Sequence, residues 1–117
     1  MTRFLYVFKT GPYQGAAGQE GLDAVLAGSA LDIEISVLFC DDAVFQLKRG
    51  QAENDDVKNY TKGFAALPDF GIESVYVELS SLLARGLEES DLTISVQTLE
   101  LEPMRALIAN HDQVMVF

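Results

Sequence analysis

The stretch Val37-Leu38-Phe39-Cys40-Asp41-Asp42-Ala43-Val44-Phe45-Gln46-Leu47 decides how the rest of the chain is read. An apolar run stops abruptly at a thiol and two acids, and a mixed apolar and polar segment then resumes. Near-continuous apolar runs belong to strands covered on both faces of a parallel sheet, so Ile33 to Phe39 is predicted as a buried strand. Ligands and partners of open α/β sheets meet the carboxyl ends of the strands. That rule puts Cys40, Asp41 and Asp42 on the functional edge.

Working outward, four further segments have strand composition: Phe4 to Phe8, Val75 to Val77, Leu92 to Val96 and Val114 to Phe117. The first and last are again nearly continuous apolar runs, which suits two covered faces. Leu92 to Val96 alternates, so it reads as an edge strand or one with a wetter side. Helical spacing lies between these segments. Leu22, Val25, Leu26 and Ser29 follow i, i+3, i+4, i+7, and Val57, Tyr60, Phe64 and Leu67 repeat the pattern until Pro68. Ser80 to Arg85 is a short helix stopped by Gly86. Pro103 suits a helix start, with Met104, Leu107 and Ile108 as its core stripe. The alternation of strand and helix predicts an α/β domain over residues 1–117, with a mostly parallel five-stranded sheet and helices on both faces.

The chain has 117 residues, 49% of them hydrophobic, which is enough for one core and too apolar for disorder. Its formal charge is −10, with 8 Lys and Arg against 18 Asp and Glu. No basic stripe is available for phosphate backbones, which argues against direct nucleic-acid binding. The single cysteine excludes an intrachain disulfide and is ordinary for a reducing compartment. The run Phe4 to Phe8 is too short for a signal-peptide core, and no apolar stretch reaches the length of a membrane span. A cytoplasmic protein without membrane contact is expected.

The candidate motifs are weak as chemistry. Gly11-Pro12-Tyr13-Gln14-Gly15-Ala16-Ala17-Gly18 occupies the place of a phosphate loop, but the glycines do not make G-x-G-x-x-G, and Glu20 in the first helical turn would repel a phosphate. It reads as a crossover loop, with small-ligand binding there as the lesser reading. Cys40 precedes two acids that oppose thiolate formation, so a small buried strand-end residue is favoured over a reactive thiol. Asp41 and Asp42 resemble the magnesium-chelating acid pair of receiver domains, yet that pair follows the first strand, which here ends Lys9-Thr10. The plain reading is a helix N-cap with a second acid in the first turn. His111, the only histidine, has no metal-ligand companion and reads as a helix C-terminal residue. Neither a catalytic set nor a cofactor or metal site emerges from these residues.

Four segments together resemble the TusC/DsrF family of sulfur-relay subunits. They are the opening strand with Gly11-Pro12-Tyr13, the helix Glu20 to Ala27, the segment Leu38 to Leu47 with Gly50-Gln51, and Ser80-Ser81-Leu82-Leu83-Ala84-Arg85-Gly86-Leu87. The resemblance runs the length of the chain. It implies a Rossmann-like three-layer α/β/α sandwich and assembly with two homologous sister subunits, TusB and TusD or DsrH and DsrE, as a dimer of heterotrimers. Such a complex relays persulfide sulfur, toward 2-thiolation of the tRNA wobble uridine or, in the Dsr setting, toward oxidation of stored sulfur.

In the catalytic sister, the acceptor cysteine follows the third strand, a few residues before an R-G turn. Set by Arg85-Gly86, the matching position here is Glu78. A carboxylate cannot carry a persulfide, because relay needs a thiolate nucleophile and leaving group. The resemblance therefore implies a non-catalytic subunit without a cofactor. Tyr13, Asp41, Asp42, Phe45, Leu47 and Glu78 are the candidates for subunit contact, with aromatic and aliphatic side chains as anchors. The alternative from a different class is a self-sufficient sulfur carrier acting through Cys40.

Overall fold

The computed structural model describes residues 2–12, 14–50 and 61–117. The strands are β1 (Arg3–Phe8), β2 (Glu34–Phe39), β3 (Val75–Glu78), β4 (Gln97–Leu99) and β5 (Gln113–Val116). The helices are α1 (Ala17–Gly28), α2 (Lys62–Ala65), α3 (Leu79–Ala84) and α4 (Leu101–Ala109), with 3-10 turns at Asp41–Leu47, Leu67–Phe70 and Glu89–Asp91. The sheet order is β4-β3-β2-β1-β5, and every pair is parallel. The mostly parallel sheet expected from the sequence is thus wholly parallel among the described strands.

Strand order dictates the layers. From β1 to β4 the chain steps one strand at a time in one direction. Right-handed crossovers then place α1, α2 and α3 on the same face. The step from β4 to β5 runs back across the sheet, so α4 falls on the other face. The packing agrees. Tyr6, Phe8, Val37, Phe39, Val75 and Val77 face Leu22 and Val25 of α1, Phe64 of α2 and Leu82 of α3 in the main core. Leu5, Val7, Leu38 and Cys40 point the other way, with Tyr76, Met104 and Leu107 packed against them.

The second layer is thin. No residue of α4 is fully buried, and Val114 and Val116 of β5 are 40% and 62% exposed on that side. The expected α4 core stripe is therefore partial, with Met104 and Leu107 half-buried and Ile108 exposed. One nine-residue helix cannot cover a five-stranded sheet, and β5 is bare on the face where its apolar run predicted cover. The fourth strand is also displaced from Leu92–Val96 to Gln97–Leu99. Leu92 is instead a core residue bridged to Lys48, and Ile94 and Val96 pack on the main core before pairing with β3 begins. Of the second helical pattern, Val57 and Tyr60 lie outside the described residues. Phe64 and Leu67 are both fully buried.

The main core is centred on aromatic rings. Phe8 stacks on Phe39 at 5.1 Å and on Phe117 at 5.6 Å, and it meets Phe64 edge-on at 5.2 Å. Helix α1 comes close enough to these rings that a Cβ on Gly21 would lie 2.4 Å from Phe8 Cε1 and 2.7 Å from Phe117 Cγ. Alanine in place of a mid-helix glycine ordinarily stabilises by up to about 1 kcal/mol. Here the Phe8 ring is fully buried and has no room to retreat, so Gly21→Ala is expected to destabilise by about 1–3 kcal/mol. Urea unfolding checks the sign, and a gain in midpoint would show that α1 can lift off the sheet.

Candidate functional site

The carboxyl ends of β1, β2 and β3 bring Lys9, Cys40, Asp41 and Glu78 together, as the sequence predicts for the cysteine and its acids. Alternation along a strand puts Cys40 on the α4 side of the sheet with Leu38. These residues line one end of a groove of about 410 Å³, whose walls are Val7, Leu38, Met104, Ile108, Val114 and Val116.

Cys40 is 7% exposed. Burial first, then the Glu78 and Asp41 carboxylates, raise its thiol from 9.0 to about 12, against an opposing pull from Lys9. The thiol is therefore protonated at neutral pH. Burial also raises the Tyr6 hydroxyl.

The acids hold the edge together. Asp41 has φ 52°, the only positive φ outside glycine among the described residues, a conformation that Asp tolerates better than most side chains. Its N–H donates to Ser81 Oγ at 2.8 Å, and Ser81 Oγ in turn donates to Glu78 Oε1. A two-step hydrogen-bond chain thus ties the end of β2 to the start of α3. The N-cap expectation is corrected accordingly. The residue before the 3-10 turn is Cys40, and no side chain caps that turn. Asp42 pairs instead with Arg85, at 3.0 Å to Nε and 2.9 Å to Nη2, while Arg85 Nη1 donates back to the Ser81 carbonyl at 3.1 Å. Lys9 and Asp41 are 3.8 Å apart and both half exposed, a weak pair.

Among the proposed contact anchors, Leu47 is corrected: it is fully buried in the main core and offers no surface. The 3-10 winding of this segment turns Leu47 inward with Ala43 and Val44. Phe45 is half-buried against the same core, and Tyr13 lies outside the described residues. The loop before α1 is closed on itself, since the Gly11 amide that could face an anion donates to Gln14 Oε1 at 2.8 Å. His111 follows α4, with Nδ1 2.7 Å from the Leu107 carbonyl.

Sequence reasoning missed Ser81, Arg85 and Gln46 as the residues that organise this edge. Glu78 and Ser81 are three apart across a helix start, the spacing of reciprocal capping pairs, and that signal was available. Gln46 was not legible. It is 1% exposed, and its Nε2 donates to the Thr10 carbonyl at 3.0 Å, a partner 36 residues away.

Residues 2–117 match the DsrE/DsrF-like family. The chain is 40% identical over 119 residues to "Protein TusC" of Escherichia fergusonii, covering all of both chains. It is 38% identical over 112 residues to "Protein TusC homolog" of Pseudomonas aeruginosa, covering 95% of this chain and 94% of that one. Among solved structures, the ychN protein from E. coli superposes with a TM-score of 0.85 at 19% identity, over the full length of both chains. The MTH1491 protein of Methanobacterium thermoautotrophicum gives 0.74 at 15% identity, over 98% and 99% of the two chains. The structural likenesses carry the fold, and the sequence relatives carry the family. This chain belongs to the DsrE/DsrF-like family, alongside the TusC/DsrF subunits that its sequence resembles.

Proposed function

We propose that this chain is a non-catalytic, structural subunit of a cytoplasmic sulfur-relay complex. It assembles with two homologous sister subunits as a dimer of heterotrimers and supports 2-thiolation of the tRNA wobble uridine. The observation that carries the reading is the chemistry of the carboxyl edge. At the position that the family resemblance aligns with the acceptor cysteine stands Glu78, and its carboxylate accepts a hydrogen bond from Ser81. The one thiol nearby is buried and held protonated. Persulfide relay needs a thiolate to attack and a thiolate to leave, and this edge supplies neither. The 37–40% identical relatives bearing the TusC name support the pathway over oxidation of stored sulfur. The excess of acids supports a role in which the chain itself makes no contact with tRNA.

The test is native mass, with the chain expressed alone and then with both sisters. A hexamer with two copies of each chain is the expected result, and Cys40→Ser in that complex is expected to leave sulfur transfer unchanged. A homo-oligomer that ignores the sisters would overturn the assembly. Persulfide trapped on Cys40 and passed onward would overturn the non-catalytic role.

A further inference from the structure

The thin α4 layer leaves an apolar groove whose floor is Leu38 and whose exposed walls are Ile108, Val114 and Val116. It opens at one end on Lys9, Asp41 and Glu78, where two carboxylates outnumber one ammonium. Beside it, β5 pairs only with β1, so its outer backbone edge is unpaired within the described chain. Natural edge strands are usually blunted by Lys, Pro or a covering element. This one, Gln113–Val116, carries no charge and no proline. An apolar wall continuous with an unguarded edge is the kind of surface that marks a protein contact.

Charge selects the occupant. Of the 8 Lys and Arg, Arg3, Lys9, Arg85 and Arg105 already face acids of this chain. A second copy, also at −10, is repelled at long range. We infer that the α4–β5 groove receives a different polypeptide, one that presents aliphatic side chains to Val114 and Val116 and Arg or Lys to the acidic end. This rests on the subunit reading above and assigns the docking face that it needs: an apolar centre supplies affinity, and the charged end sets orientation.

The experiment titrates the full chain against the co-expressed sister subunits. Val116→Lys and Ile108→Lys place a charge at positions already open to solvent, and Leu31→Lys does the same at an exposed site before β2, away from the groove. Circular dichroism confirms that each variant is folded. Expected are Kd values at least about thirty-fold weaker for the two groove variants and no change for Leu31→Lys, since a buried unpaired charge at an interface centre is strongly unfavourable. Raising salt to about 0.5 M is expected to weaken wild-type binding by screening the acidic end. Wild-type affinity retained in both groove variants would overturn the groove while leaving the subunit reading intact. Equal weakening by Leu31→Lys, or a homodimer broken by Val116→Lys, would likewise overturn it. Sisters that fail to bind the wild-type chain at all would remove the subunit reading, and the groove assignment with it.

Discussion

At pH 8 the native chain is expected to alkylate at Cys40 at least about thirty-fold more slowly than the same chain in urea. The size follows from two opposed effects. A thiol at 9.0 is about one-tenth ionised at pH 8, whereas one at about 12 is ionised to about one part in ten thousand, a loss of about a thousand-fold in nucleophile. A more basic thiolate is also more reactive, and the usual Brønsted slope returns about one and a half of those three decades. Steric access at 7% exposure can only slow the reaction further. Iodoacetamide labelling with peptide mapping reads the ratio directly. Equal rates would mean that the groove opens readily or that Glu78 and Asp41 do not act on the thiol, and the carrier reading would regain its footing. Stability follows the same group. The folded-state value is raised, so Cys40 contributes fully below about pH 9 and that contribution is lost as the pH rises through about 12. Relative to Cys40→Ala, the wild-type chain is therefore expected to lose stability across that alkaline window and to show no difference in slope below it.

Phe8→Ala is expected to remove about 3–5 kcal/mol of stability and to lower Tm by more than about 10 °C. Phe8 is fully buried, and its ring touches three others. Those neighbours come from β2, α2 and the end of the chain, so truncation opens a cavity where three elements converge. Phe39 and Phe64, held on β2 and α2 and fully buried, cannot collapse into the space, which puts the change in the upper part of the range for aromatic truncation. Phe70→Ala is the comparison, since Phe70 is half exposed at the end of a 3-10 turn, and about 0.5 kcal/mol or less is expected there. Thermal unfolding of the two variants separates core packing from the loss of an aromatic side chain as such. Similar effects for both would mean that Phe8 packs loosely.

Much of the architecture was legible because parallel strands and amphipathic helices leave regular traces. The apolar run before Cys40, the helix pattern from Leu22 and the stop at Gly86 all correspond to observed elements, whereas α2 already ends at Ala65 and Pro68 sits inside the 3-10 turn Leu67–Phe70. The errors have physical causes. Leu92, Ile94 and Val96 alternate like a strand but serve as core plugs, since alternation reports burial and not pairing. Leu47 cannot serve as a contact anchor because the 3-10 winding of Asp41–Leu47 turns it into the main core, and exposure is not written in the sequence. The apolar run of the last strand predicts cover on both sides, whereas cover depends on how many helices the crossovers deliver to each face.

The sequence by itself determined that this is an acidic α/β domain, with a parallel sheet and one thiol at a strand end. Those properties follow from composition, periodicity and spacing, which are local. Only the tertiary structure decided that Cys40 is a protonated thiol, that Asp41, Ser81 and Glu78 form one hydrogen-bond chain, and that the α4–β5 face is left open. Each of these depends on side chains brought together from distant parts of the chain. Desolvation, charge proximity and the count of helices on a face come into being only when the sheet is assembled.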